Sequence, residues 1–399
     1  MPSGLALSVT AVTAVATVAL CACGERTAPP PAIRFLHTFE PQETELFNAT
    51  MVERGIPVDS ILVPFARGRQ TINDILRGQN GCPDLIRIDA TWLPGLVTSG
   101  LLVEVPPPLA ALDWTPEAAA LAQLGGVWWS LPQSVDGLVV LRDLATPAPA
   151  SPSLDDLLAA ARAARTKSTP YPLGVRVDGY WFVPWLRSEG GELAAPGGIA
   201  GDGAVRALAK LAALFGEVIP PPPAAGSEAP EELRRWNAHE IAYWITGPWQ
   251  FAGLADRERL AVSPLAHAPR GGQLLVVPRC AKRPDDGWRL AGELTSLPVE
   301  ARFAGAFATT PTRQAALDQA PAVGRATASA LHDATMLPRE PVTPLLFDDL
   351  NPALAAVVDG DATAEEAIAG VRRGWQRLVA PPAPPEAPPA PPPASPVAR

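Results

Sequence analysis

Short apolar runs that alternate with helical patterns are the feature that most constrains the fold of this chain. Strand candidates at 33–38 and 84–88 are each followed by a helical pattern, at 43–54 and 92–99. Strands that alternate with helices in this way indicate an open α/β sheet. The alternation resumes after residue 173, and 399 residues exceed what one ordinary core organises, so we expect two lobes.

The N-terminal segment is typical of an export signal. Residues 5–20 are small, apolar and uncharged, which is short for a membrane span and suits the core of a signal peptide. The Leu-Cys-Ala-Cys-Gly run that follows resembles the bacterial lipobox, with Cys23 as the lipidated residue. We therefore expect a signal peptide at 1–22, an anchored spacer at 23–31 and a protein outside the cytoplasm. A plain signal peptide cut nearby is the alternative.

Composition excludes several classes of function. The formal net charge is −9 and the basic residues are scattered, so we expect no nucleic-acid partner. The four Cys form no C-x-x-C pair and there are four His, so we expect no metal site, and no cofactor is indicated. Half of the residues at 380–399 are Pro, which predicts an extended, disordered tail.

Seven segments, in order along residues 33–378, resemble the family 1 extracellular solute-binding proteins, the maltose-binding-protein-like class of ABC importers. One departure is Arg142-Asp143, where the family usually has Asn-Lys. The segments that carry most of the resemblance are CPDLIRIDATWLPGLVTSGLL, GGVWWSLPQSVDGLVVLRD, DGYWFVPWLRSEGGEL and ITGPWQFAGL.

The resemblance implies a type II periplasmic-binding-protein fold, in which two α/β lobes are joined by a hinge and a sugar binds in the cleft between them. The family's chain crosses between the lobes more than once. We therefore expect lobe one at 32–136 and 271–333, and lobe two at 137–270 and 334–379. The implied protein is a monomer that captures a saccharide and delivers it to the permease subunits of an ABC importer.

Aromatic side chains are the first binding candidates, because sugars present flat apolar C–H faces. The resemblance carries a stacking aromatic onto Trp249, which follows Gly247 and Pro248; a core Trp is the alternative. It carries a second sugar-contacting ring onto Tyr180. Trp181 is adjacent, and we expect this segment to be a strand, in which neighbouring side chains point to opposite faces. One of the two rings would then belong to the core.

Carboxylates can accept hydrogen bonds from sugar hydroxyls. Asp136 lies in the crossover, where the family places a sugar-binding carboxylate, although a structural role at the hinge is open. Asp178 would share a strand face with Tyr180, or else cap the turn before Gly179.

Further candidates follow strands, at the edge where open α/β sheets bind their ligands. Asp89 and Trp92 come after the strand DLIRI, and Glu40 comes after the first strand. Trp92 has helix packing as its alternative. Arg339 lies in the third crossing between lobes, where it would contact ligand or form a salt bridge at the rim.

Two cysteines remain besides the proposed anchor. In the family, the strand before Cys280 returns to lobe one and runs antiparallel beside the strand that follows Cys82. The start of one strand then meets the end of the other, so the resemblance implies a disulfide between these residues in an oxidising compartment. Two buried, unpaired thiols are the alternative.

Three other functions stay open at this point. A glycosidase needs two carboxylates that flank a bond, and nothing distinguishes Asp136 and Asp178 as such a pair, so we expect no enzyme. A sensory receptor would have the same sequence features. An importer component could also bind a polyamine or an anion, although several aromatic residues and few basic ones among the cleft candidates favour a neutral sugar.

Overall fold

The computed structural model describes residues 31–78, 81–194, 198–200, 203–222 and 231–379. The signal peptide, the lipidation candidate Cys23, the spacer before Pro31 and the proline-rich tail lie outside the described residues.

Short strands lie throughout the described part of the chain. They are β1 (Ile33–His37), β2 (Val58–Leu62), β3 (Leu85–Asp89), β4 (Gln123–Leu124), β5 (Val127–Trp128), β6 (Leu131–Gly137), β7 (Val139–Asp143), β8 (Leu173–Gly174), β9 (Glu192–Ala194), β10 (Gly198–Ala200), β11 (Tyr243–Thr246), β12 (Leu260–Ser263), β13 (Pro269–Val276) and β14 (Thr335–Met336).

Helices separate most of these strands. They are α1 (Pro41–Glu53), α2 (Phe65–Gly78), α3 (Leu93–Thr98), α4 (Pro107–Ala110), α5 (Pro116–Ala122), α6 (Leu154–Ala163), α7 (Gly179–Ser188), α8 (Gly203–Leu214), α9 (Glu231–Asn237), α10 (Pro284–Leu294), α11 (Leu297–Phe307), α12 (Gln314–Asp318), α13 (Ala322–Ala330), α14 (Thr343–Val358) and α15 (Ala364–Val379). Short 3₁₀ helices span Ala90–Trp92, Pro248–Gly253 and Arg257–Arg259. Within the described residues, none of the helices has both the length and the apolar character of a membrane span.

The first sheet has six strands, in the order β14-β13-β3-β1-β2, with β6 also paired to β13. Strand β1 is parallel to β2 and β3, and β13 is antiparallel to both β3 and β6. It follows that β1, β2, β3 and β6 all run in one direction. Their carboxyl ends therefore lie along the same edge of the sheet.

The central strands β1 and β3 of the first sheet are mostly apolar runs that are buried on both faces, as is typical of parallel strands covered by helices. Phe35 and Leu85 face a cluster that α1, α10 and α11 complete, whereas Leu36 and Ile86 face a second, larger cluster. Alternate residues of one strand thus contribute to different cores. This sandwich of helices around a sheet fixes the positions of the strand ends.

The second sheet has four strands in the order β12-β7-β11-β8. Strand β7 is antiparallel to β11 and β12, and β11 is parallel to β8. Leu138 alone separates β6 in the first sheet from β7 in the second. A Cβ on Gly137 would lie 2.6 Å from the carbonyl oxygen of Pro269, so glycine permits the close approach of chains at this crossing.

A disulfide joins Cys82 and Cys280, with 5.9 Å between their Cα atoms. Cys82 precedes β3 and Cys280 follows β13, and these strands are antiparallel neighbours with Ile86 paired to Val276. This is the pairing that the family resemblance implied, and it closes a sequence separation of 198 residues.

One sequence-based expectation is wrong. The segment that contains Tyr180 and Trp181 is helix α7 and not a strand. The Asp178 side chain accepts a hydrogen bond from the Tyr180 backbone N–H at 2.8 Å, which caps the helix. The aromatic residues of this segment are as compatible with a helix as with a strand, because helix α7 is buried on most sides.

Candidate functional site

Acidic side chains converge at the carboxyl edge of the first sheet. Asp89 is the last residue of β3 and Asp136 is the last but one of β6. Gln273 of β13 lies between them, paired in register with Asp89 on one side and with Ser134 on the other. Glu40 follows β1 at the same edge, where it caps α1. The sheet topology therefore brings together residues that are far apart in the sequence.

Asp89 and Asp136 form a carboxylate pair at the centre of this edge. Both residues keep part of their surface exposed, but protein atoms surround the carboxyl groups themselves. Burial raises the pKa of Asp136 to about 7, and the negative charge of Asp89 adds to the rise. Burial also raises the pKa of Asp89, which accepts hydrogen bonds from the Thr91 backbone N–H at 2.8 Å and from its hydroxyl at 2.5 Å. Near neutral pH, Asp136 is thus partly protonated.

A buried arginine lies behind the pair. Arg87 of β3 is only 6% exposed, and its guanidinium donates to Gln133 Oε1 at 3.0 Å and to the Thr38 hydroxyl at 2.9 Å. It also stacks over the Phe39 ring at 4.6 Å. Arg87 was not among the residues predicted from the sequence. A charged residue inside the apolar run DLIRI was the signal that could have found it.

Three aromatic rings cluster beside the carboxylates. The ring centroids of Tyr180 and Trp249 are 6.3 Å apart, and those of Trp181 and Trp249 are 5.7 Å apart, both in edge-to-face arrangements. Trp181 is 8% exposed and its indole N–H donates to the Ile245 carbonyl at 2.8 Å. Tyr180 and Trp249 are less buried. Trp181 therefore supports the other two rings, whose surfaces remain partly accessible.

The position of Trp249 depends on a glycine. A Cβ on Gly247 would lie 2.2 Å from Cζ3 of the Trp249 ring and 2.6 Å from the Gly137 carbonyl oxygen. The ring therefore folds back over Gly247 and reaches the crossing at Gly137, the residue after Asp136. This packing places the aromatic cluster next to the carboxylate pair.

Tyr180 lies between the aromatic cluster and the carboxylate pair. The position that a Cβ on Gly271 would occupy lies 3.0 Å from Asp136 Oδ1 and 3.3 Å from the Tyr180 hydroxyl oxygen. That hydroxyl donates to the Pro269 carbonyl at 3.3 Å. Burial, together with the charges of Asp136 and Asp89, raises the pKa of Tyr180 well above its ordinary value. The neutral hydroxyl of Tyr180 and the Asp136 carboxyl group thus both border Gly271.

Two residues that were predicted to contact the ligand, Asp178 and Arg339, form hydrogen bonds within the protein. Asp178 caps α7, and its second carboxylate oxygen accepts from the Asn351 side chain at 3.3 Å. The turn-capping alternative therefore describes Asp178. Arg339 donates to the carbonyl oxygens of Ala120 and Leu121, near the end of α5. These bonds hold a helix terminus, and among the described residues Arg339 forms no salt bridge at the rim.

A second aromatic pair lies at the same edge of the sheet. Trp92 is 8% exposed and packs against Phe65, the first residue of α2, with 5.4 Å between the ring centroids. Phe65 is 50% exposed. Phe65 was not predicted from the sequence, although an aromatic residue three positions after a strand was the available signal. The pair offers an apolar surface beyond the carboxylates.

An ion pair connects two elements beside this aromatic pair. Arg69 of α2 lies 2.9 Å from Asp348 of α14, and both side chains are partly exposed. The described residues contain no cluster of His, Cys, Asp and Glu that could hold a metal ion. A surface depression of about 310 Å³, lined by residues that include Trp236 and Arg259, lies at the opposite end of the second sheet and is separate from the site.

The family model described as bacterial extracellular solute-binding protein matches residues 70–330. No curated protein sequence matches the chain.

Solved structures cover nearly the whole described chain. The GacH receptor of Streptomyces glaucescens, solved unliganded and with acarbose, is 22% identical, with a TM-score of 0.76 over 87% of this chain and 98% of its own. Maltose-bound MalE3 of T. maritima is 18% identical, with a TM-score of 0.76 over 87% and 99%. The maltotriose-binding protein of Thermus thermophilus is 17% identical, with a TM-score of 0.71 over 86% and 99%. These likenesses show the two-lobed α/β fold that the sequence predicted.

Proposed function

Because the chain belongs to the bacterial extracellular solute-binding proteins, we propose that it captures a saccharide in its cleft and delivers it to an ABC importer. Family membership makes it an exported binding protein. That the solute is a saccharide, that a permease receives it and that a lipid anchors the protein to the membrane are proposals. No bond needs to break for this function.

The observation that carries the proposal is the aromatic cluster beside the carboxylate pair. Tyr180 and Trp249 offer partly accessible rings, and Asp136 borders Gly271 together with the Tyr180 hydroxyl. Sugars bind where a flat apolar surface meets hydrogen-bond acceptors, because their rings have C–H faces and hydroxyl edges. The similar solved proteins bind maltose, maltotriose and acarbose, which supports a saccharide here.

The exposed Phe65 ring, on Trp92, supports a ligand of more than one sugar ring. It lies at the end of β2, away from the cluster around Trp249 but at the same edge of the sheet. We therefore propose an oligosaccharide or disaccharide that spans both aromatic surfaces.

Capture would proceed by closure of two lobes, which we place at 32–136 with 271–333 and at 137–270 with 334–379. Contacts such as the Arg69–Asp348 ion pair and the bond from the Arg257 side chain to the Ala306 carbonyl oxygen join residues assigned to different lobes. Such contacts favour a closed form, and a sugar held by both lobes would favour it further. Small-angle scattering should show the radius of gyration falling when saccharide is added. An unchanged radius would contradict hinge closure.

The anchor is proposed at Cys23, as a lipidated N-terminus that keeps a monomeric binding protein at the membrane beside its permease. Mass spectrometry of the protein expressed in a bacterium should find a lipidated Cys23 as the first residue. A free N-terminus downstream of it would contradict the anchor.

A solute screen followed by one pair of variants tests the binding site. Thermal shift against mono- and oligosaccharides, amino acids and polyamines should find stabilisation by a saccharide. Trp249→Ala should then weaken binding by roughly 1–3 kcal/mol in calorimetry, from the loss of buried aromatic surface. Trp114→Ala removes a partly buried ring elsewhere and should leave the affinity unchanged. Wild-type affinity in folded Trp249→Ala would assign Trp249 to the core.

A further inference from the structure

The side chain of Arg257 reaches from one proposed lobe to the other. Arg257 begins the 3₁₀ helix Arg257–Arg259 in lobe two, and its guanidinium donates to the Ala306 carbonyl oxygen in lobe one at 2.5 Å. Among the described residues, Arg257 forms no salt bridge, so no carboxylate holds its guanidinium within its own lobe. The bond therefore connects the two lobes through a backbone group.

The accepting carbonyl belongs to the last turn of α11. This helix ends at Phe307, and the next residue, Ala308, has a left-handed backbone with φ 56°. The carbonyl groups of the last turn of an α-helix have no acceptor role within the helix, because no further turn follows them. Partial negative charge collects at this end, so a guanidinium is a favourable partner for the Ala306 carbonyl.

Two features hold the segment before Arg257 in place. The Asn237 side chain donates to the Gly253 carbonyl oxygen at 3.1 Å and accepts from the Ala255 backbone N–H at 3.0 Å. Asp256 then has a left-handed backbone with φ 51°, which turns the chain directly before Arg257. Because the backbone is tied to α9 of its own lobe, forming the bond to α11 restricts mainly the Arg257 side chain.

The bond lies near the segment that carries the proposed binding ring. The 3₁₀ helix Pro248–Gly253, which contains Trp249, lies against α11 across the same boundary between the lobes. The charged groups that act on the Tyr180 hydroxyl do not include Arg257. Arg257 is thus distinct from the groups that would bind the solute, although it crosses the boundary that must close around the solute.

We propose that Arg257 is a latch that favours closure of the cleft, and that it sets the affinity for the solute without contacting it. This inference rests on the proposed capture by lobe closure and names a residue that tunes it. Opening of the lobes would separate the guanidinium from α11, and closing would form the bond. Both groups belong to the protein, so the bond also favours the closed form before a solute enters. The solute then has less to add to stabilise the closed form, and binding is tighter.

The bond sets the size of the expected effect. A cation at a partly buried helix C-terminus shifts an equilibrium by about five- to thirtyfold. Arg257→Ala should therefore weaken the binding of each saccharide by that factor, and by the same factor for each, because no group that contacts the sugar is removed. The loss should appear in the dissociation rate, since the latch forms after the solute has entered the open cleft. Arg257→Lys keeps the charge and should restore part of the affinity.

Calorimetry and stopped-flow tryptophan fluorescence measure these effects, with maltose, maltotriose and acarbose as the first probes. Arg259→Ala is the matched control, because Arg259 lies two residues away and pairs with Asp143 of the same lobe at 3.0 Å. This control removes an equal charge and should leave the affinity and the dissociation rate unchanged.

Small-angle scattering of the solute-free protein is the second measurement. The radius of gyration of Arg257→Ala should exceed that of the wild type, because the latch no longer favours the closed form. At saturating saccharide, the two proteins should reach the same radius, since the sugar itself then holds the lobes together.

The outcomes separate the latch from the proposed function. Wild-type affinity in Arg257→Ala overturns the latch and leaves a saccharide-binding protein. A loss that depends on which saccharide is bound also overturns the latch, because Arg257 would then contact the sugar. Equal radii for the solute-free wild type and Arg257→Ala overturn the latch whether or not a saccharide binds. A larger radius for the variant, without binding of any saccharide, supports the latch and overturns the proposed saccharide function.

Discussion

Replacement of Gly247 by alanine tests how the site positions its central ring. The Gly247 backbone has φ −135° and ψ 178°, which any residue adopts, so the substitution adds no backbone strain. The added methyl would instead lie 2.2 Å and 2.3 Å from two atoms of the Trp249 ring and 2.6 Å from the Gly137 carbonyl oxygen. Ring and backbone cannot both stay in place, because the methyl lies between them.

Overpacking of this kind destabilises proteins by about 1–3 kcal/mol, and we expect that loss in urea unfolding of Gly247→Ala. The displaced ring should also weaken saccharide binding by roughly the amount expected for Trp249→Ala, about 1–3 kcal/mol. Calorimetry under conditions where the variant stays folded measures the second effect. In the double variant Gly247→Ala/Trp249→Ala, the affinity loss should not exceed that of Trp249→Ala alone, since both act through one ring.

Gly305→Ala is the matched control. Gly305 lies in α11, and a Cβ there would have no neighbour within 4 Å. Alanine should therefore stabilise the helix by up to about 1 kcal/mol without changing binding. If Gly247→Ala binds saccharide like the wild type, the packing of Trp249 on Gly247 does not position a binding ring.

Three further predictions concern stability and closure. Replacement of Cys82 and Cys280 by alanine should lower the free energy of unfolding by about 5 kcal/mol for a separation of 198 residues, measured in urea, and should abolish its sensitivity to reductant. Arg69→Ala should weaken saccharide binding by at most about 1 kcal/mol and reduce the salt dependence of binding, because the ion pair with Asp348 is exposed. A larger, salt-independent loss of affinity in calorimetry would contradict this prediction. Burial raises the pKa of Glu300 to about 7, so between pH 4.5 and 7 the folded state holds a proton that the unfolded state has lost, and the free energy of unfolding should fall as the pH rises through this range. Glu300→Gln should flatten this pH dependence in urea titrations at successive pH values. An unchanged pH dependence would contradict the prediction.

The sequence predicted β1 and β3 well because both are apolar runs that are followed by helical patterns. The observed β1 ends one residue before the predicted run, and β3 begins and ends one residue after the predicted run. The carboxyl ends of these strands then placed Asp89 and Glu40 at the correct edge of the sheet. Parallel topology made this inference possible, since it needs only strand direction and not side-chain positions.

The site itself was only partly predictable. Helix α7 was taken for a strand, because a short run rich in aromatic residues fits either structure and the capping role of Asp178 was not decisive from sequence. Arg339 was assigned by its place in the chain, whereas its partners are backbone carbonyls that no sequence pattern reveals. Gln273 and Arg87 were missed since their roles arise from the register of β13 against β3 and β6.

Burial and bonding also distinguish the two carboxylates at the centre of the site. Asp89 has a structural use, because it accepts two hydrogen bonds from Thr91 and starts the 3₁₀ helix after β3. Among the described residues, Asp136 is given hydrogen bonding by Gln273 alone, and its pKa is raised to about 7. A carboxyl group that is desolvated beside another acid destabilises the empty protein at neutral pH. Since no described element of the fold uses Asp136 as a cap or an ion-pair partner, we propose that its position serves a ligand that donates to it.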